Sequence, residues 1–164
     1  MRRRTVLKVT LLGGAALAAG GLALRLATRP TVEQARADAE RVLRAVIPAL
    51  LAGVLPLEPS ASESAQRQAL QRTLATIEGL PPATRAELDE LFALLASRPG
   101  RWLAGVDWAE AEPEDAARFL ARWRTSSVSL FVAAYQALHD LVLGPWYADP
   151  SAWDAIGYPG PTRL

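Results

Sequence analysis

From Thr31 onward the apolar positions recur at spacings of three and four, the period of a helix with one face turned inward. Ala35, Ala39, Val42, Leu43, Val46 and Ile47 make the first such stripe, opened by Thr31 and Gln34 at the spacing of a capping box. Pro48 lacks an amide hydrogen and crowds the preceding turn, so it is expected to kink or end this helix. A second stripe carries Leu70, Leu74 and Ile77, entered through Ser60 and Glu63 as a cap and closed at Gly79. A third opens at "LPP", turns Leu88, Leu91, Phe92 and Leu95 inward, and ends at "SRPG". A loop holding Trp102 and Trp108 then leads to a fourth helix with Pro113 at its first position. Glu114 and Asp115 sit there where the macrodipole favours anions, and Glu114, Arg118 and Arg122 are spaced as an exposed ladder.

"SSVSLFV" alternates like a strand, yet Leu120, Trp123, Ser127, Leu130, Phe131, Ala134, Leu138 and Leu141 keep a helical period straight through it. The pattern predicts helix, with a break near Thr125 to Ser127. No second alternating segment is available to pair with a strand. The predicted fold class is therefore all-α, a bundle of about five helices over residues 30–164 that can close its own core.

The chain finishes on an aromatic tail rather than on small polar residues. Gly144 and Pro145 are expected to end the last long helix, and Asp149-Pro150 to start a short one through Ile156. "YPGP" then continues as rigid, non-helical chain. Trp146, Tyr147, Trp153, Tyr158, Pro159 and Pro161 are the candidate partner contacts, because rigid aromatics dominate interface hot spots. For the two tryptophans, folding back over the domain's own core stands as an equal alternative. For Tyr158 to Pro161 the position near the terminus favours a partner. Trp123 lies on the apolar period and is assigned to the core, whereas Trp102 and Trp108 are open to either role.

Residues 1–29 differ in kind. A charged start precedes an apolar run from Val9 to Leu24 broken by four glycines, which as a helix would reach only about 24 Å against a hydrocarbon core of roughly 30 Å. This layout reads as an export leader. Arg3, Arg4, Leu7 and Lys8 resemble the twin-arginine motif, R-R-x-(apolar)-L-K, in which paired guanidiniums offer fixed forks to receptor carboxylates. That resemblance implies the twin-arginine translocase as a partner, export after folding, and a periplasmic location. Ala16-Leu17-Ala18 and Gly21-Leu22-Ala23 both offer small-x-small cleavage sites, and an uncleaved leader would tether the domain to the membrane.

Charge and composition then narrow the chemistry. Six of the 18 basic residues precede Pro30 and no acid does; from Pro30 onward 12 arginines face 17 acids, a net of −5. The folded part thus offers no electrostatic case for nucleic acid. There is no cysteine and one histidine, His139, which excludes thiolate metal sites and covalently attached haem and removes the commonest general base. His139 reads as a satisfied, half-buried side chain. Asp107, Glu110, Glu112, Glu114 and Asp115 form the densest acidic cluster, and Pro113 stands where a calcium loop needs its glycine turn, so a solvated loop is the expectation. No catalytic, metal or cofactor residue is assigned.

The leader, the helical body and the ending "WY-x-x-P-x-x-W-x-x-I-G-Y-P-G-P", at Trp146, Tyr147, Pro150, Trp153 and Ile156 to Pro161, resemble the small, gamma-type subunit of membrane-associated FAD-dependent dehydrogenases. These are the gluconate 2-dehydrogenase subunit 3-like family, found beside glucose-methanol-choline oxidoreductases. "L-x-x-W" at Leu120 and Trp123 and "Y-x-A-L" at Tyr135 to Leu138 are also similar. The resemblance implies a non-catalytic subunit that aids folding and export of a flavin-dependent large subunit, with FAD in that partner and a multihaem cytochrome c subunit as electron acceptor. The alternative is a stand-alone periplasmic helical module binding a small apolar ligand.

Overall fold

The computed structural model describes residues 31–153. Six α-helices succeed one another, with no strand among the described residues: α1 (Val32–Leu50), α2 (Pro59–Glu78), α3 (Pro82–Ala96), α4 (Arg98–Ala104), α5 (Pro113–Arg124) and α6 (Ser129–Ala148). A 3-10 turn, Pro150–Ala152, comes after α6. The chain is all-α, as the apolar period predicts. α1 is the central helix and packs against α2, α3, α5 and α6. Its inward stripe is the predicted one, with Ala35, Ala39, Val42, Leu43, Val46 and Ile47 all buried. Phe92 from α3, Phe119 from α5 and Leu138 from α6 close over it without solvent contact.

The capping box of α1 is present: the Gln34 amide donates to the Thr31 hydroxyl at 3.2 Å and the Thr31 amide to Gln34 Oε1 at 2.9 Å. Pro48 does not end the helix. It lies in the last turn, where its missing donor forfeits a single bond, and the helix runs on to Leu50 before the Leu51 amide closes it on the Ile47 carbonyl at 2.9 Å.

α2 starts earlier than Ser60 and Glu63 suggest. Pro59 takes the first position and the Glu58 carboxylate is the cap, accepting from the amides of Ser60 at 3.1 Å and Ala61 at 2.6 Å. The Ser60 hydroxyl, and after it those two amides, hold the Glu58 carboxyl below its ordinary range. Glu63 is left to an exposed pair with Arg67 at 3.7 Å.

"SRPG" does end α3, but the chain then enters the short helix α4 rather than a loop. Ser97 serves both helices: its hydroxyl donates back to the Leu94 carbonyl at 2.6 Å and accepts from the Gly100 amide of α4 at 3.1 Å. Gly105, in the left-handed region at φ 63°, terminates α4. In α5 the predicted ladder is rearranged. Arg118 pairs with Asp115, and Arg122 turns away to the Ala104 carbonyl, supplying a donor to one of the acceptors that α4 leaves unsatisfied at its end.

The break near Thr125 to Ser127 is present between α5 and α6. The expected stop at Gly144 and Pro145 is not. α6 continues through both to Ala148, since Pro145 again falls in a final turn and the next residue, Trp146, is buried in the core. The turn starting at Asp149-Pro150 forms as 3-10 helix. Its predicted continuation to Ile156 lies outside the described residues.

Candidate partner interface

The tryptophans divide between the two roles that the sequence leaves open. Trp146 is 7% exposed, so this candidate contact belongs to the domain's own core; α6 extends far enough to carry its ring inward. Tyr147, next to it, is 38% exposed and stays available. Trp153 is half-buried and folds back on the same helix, its indole N–H donating to the Tyr147 carbonyl at 2.9 Å. Trp108 is buried and donates to the Leu95 carbonyl at 2.8 Å. Tyr158, Pro159 and Pro161, and the leader residues Arg3, Arg4, Leu7 and Lys8, lie outside the described residues.

Trp102 is the residue whose surface role the spacing left unresolved. It is 85% exposed, and Leu103 beside it is 54% exposed. The cause is the geometry of α4. Gly100 and Ala104, four apart, form its buried edge, so Trp102 falls on the opposite side of the helix and Leu103 on the flank. A Cβ on Gly100 would sit 1.8 Å from the Leu94 carbonyl oxygen, which shows how closely α4 is seated on the end of α3. The segment reads as loop in the sequence because seven residues hold too few apolar repeats for a period to register. The small pair at i and i+4 was the available signal.

Beside this ridge is an apolar cleft of about 40 Å³, lined by Leu91, Leu94, Leu95, Leu103, Leu130 and Phe131 among others. A wider lobe of about 230 Å³ adjoins it, lined by Leu103, Arg122, Trp123, Ser126 and Phe131. Arg122 is the one charged residue lining either lobe. The floor is braced from within by four rings in sequence. Trp108 meets Phe119 edge-on at 5.1 Å, Phe119 meets Trp123 at 4.4 Å, and Trp123 stacks on half-buried Phe131 at 5.3 Å. Ridge and cleft therefore form a preformed apolar surface built from α3, α4, α5 and α6.

The remaining candidates are satisfied locally. His139 Nδ1 lies 3.0 Å from Asp140 Oδ1, and its ring lies 5.7 Å from that of Tyr135. Asp107 receives Arg101 Nη1 on both oxygens at 3.1 Å, and the Ala109 amide, ahead of Arg101, holds its carboxyl below the ordinary range. Among the described residues no group of three or more His, Cys, Asp or Glu side chains could hold a metal ion, and no helix is long and apolar enough to cross a membrane. What the arrangement offers chemically is shape and apolar contact, with a cation at the rim. Compared with protein-family models, with curated proteins and with solved structures, the chain gives no match to any of the three.

Proposed function

We propose that this chain is the non-catalytic small subunit of a flavin-dependent, glucose-methanol-choline-type dehydrogenase acting on a sugar, alcohol or gluconate. It helps the large subunit fold and escorts it through the twin-arginine pathway to the periplasm. FAD belongs to that partner, and a multihaem cytochrome c subunit would accept the electrons. The observation that carries the reading is a folded-export leader, with Arg3, Arg4, Leu7 and Lys8, joined to a helical domain that holds Trp102 and Leu103 in solvent beside a preformed cleft. Tryptophan is among the residue types enriched at interface hot spots, and an exposed apolar patch is a usual mark of an interaction site. The resemblance of the C-terminal segment to dehydrogenase small subunits points the same way.

A stand-alone module for a small apolar ligand is less well supported. The apolar lobe, at about 40 Å³, accepts a side-chain tip, and the adjoining lobe of about 230 Å³ is open to solvent and lined in part by Arg122 and Ser126, whereas ligand pockets are enclosed and mostly apolar. Co-expression with a glucose-methanol-choline-type flavin oxidoreductase from the same source tests the proposal. FAD-bound activity is expected in the periplasm with the native leader and in the cytoplasm when Arg3→Lys and Arg4→Lys are combined. Equal periplasmic activity in both cases would defeat the escort role.

A further inference from the structure

We infer that the α4 ridge and its cleft are the surface on which the flavin subunit docks, and that the partner presents there an apolar side chain ringed by carboxylates. This rests on the proposed function and specifies which face performs it. The partner's chemistry is set by the charges. From Pro30 onward the chain carries a net −5, yet no carboxylate lines the cleft and its single charge is the Arg122 guanidinium. Arg98 precedes Trp102 by four residues on α4, which places both on one face of that helix, and among the described residues Arg98 has no carboxylate partner. A domain with a net negative charge thus turns outward an apolar cleft whose one lining charge is a cation, next to a helix that carries an exposed ring and a second arginine on one face.

The same charges argue against a second copy of this chain. A two-fold contact through Trp102 would set one arginine-bearing face against another, with no acid lining either cleft to meet them. A lipid surface is disfavoured by the concavity, since a cleft beside a protruding ring fits a projecting side chain rather than a plane. It is disfavoured as well by the acidity of the rest of the domain.

The test is association of the full chain with the co-expressed flavin subunit, measured on the purified proteins at low and high salt. Trp102→Ser and Arg98→Glu both sit on exposed positions, and a carboxylate is well tolerated in the first turn of a helix, so both variants are expected to keep the parent's melting temperature. Each should weaken the complex by about tenfold or more, and Arg98→Glu should flatten its salt dependence. An unchanged affinity in both, with the wild-type complex intact, overturns the inference and leaves the proposed function standing. So does loss of the complex on deleting residues 154–164 when Trp102→Ser has no effect, because the interface is then the tail. Trp102-dependent self-association in sedimentation, or Trp102-dependent binding to phosphatidylglycerol vesicles, reassigns the face and overturns it too. Absence of any complex with the wild-type chain removes the proposed function and the inference together.

Discussion

Arg72 on α2 meets Asp149, the residue that closes α6, with Nη2 2.6 Å from Oδ2 and both side chains partly shielded from solvent. The pair joins the middle of one helix to the point where the chain leaves the bundle, and the 3-10 turn starts directly after it. Arg72→Ala should cost about 0.5–1 kcal/mol, the range for ion pairs that keep some contact with water. A double-mutant cycle with Asp149→Asn, read by urea denaturation, isolates the pair from whatever else Asp149 touches.

Trp108 fastens the loop after α4 to the end of α3. Replacement by Phe keeps the ring contact with Phe119 but removes the indole N–H, leaving the Leu95 carbonyl without that donor and a void where the second ring was. The expected loss is about 2 kcal/mol, read from denaturant midpoints at unchanged m-value.

Gly100→Ala tests how tightly α4 is held. Its new methyl group meets backbone, not a yielding side chain, so α4 has to lift from α3. A destabilisation of about 1–3 kcal/mol is expected, accompanied by a change in Trp102 fluorescence. An alanine accepted at no cost would show that the approach is looser than the geometry indicates.

Two carboxylates give opposite responses to acid. Burial pushes Asp89 above its ordinary value of 3.8, with Arg85 opposing it in part. Its charge therefore penalises the fold. The contribution is intact below 3.8, is lost as pH rises through the raised native value, and stays lost at neutrality. Asp89→Asn should raise the melting temperature at pH 7, with the gain fading toward acid. Glu58 is shifted the other way, so its stabilisation is present above 4.5 and disappears as pH falls through the lowered native value. Glu58→Ala should lower the melting temperature at neutral pH and have little effect in strong acid. Thermal melts across this range, compared with the parent, check both signs.

Much of the bundle was legible in the chain. Long stripes such as that of α1 carry enough repeats to fix their inward face, and the Thr31–Gln34 pair names its own start. The departures lie at helix ends, where local residue rules are weakest. Pro48 and Pro145 both fall in final turns that packing can keep. Glu58 outcompeted Ser60 as cap because its longer side chain reaches two amides. The candidate site suffered most, since exposure is a tertiary property. Only the small pair Gly100 and Ala104 marks the side of α4 that leaves Trp102 in water, and nothing in the local spelling of Trp146 says that it faces the core. That division depends on how α4 and α6 are seated.

The central position of α1 also bears on synthesis. It is the first of the described helices to leave the ribosome, and the last helix to pack on it, α6, ends at Ala148, almost a hundred residues after Leu50. At about 5–20 residues per second, that is a delay of roughly 5–20 seconds in which nascent chain is open to chaperones. Such a domain closes its core only when nearly all of it has been made.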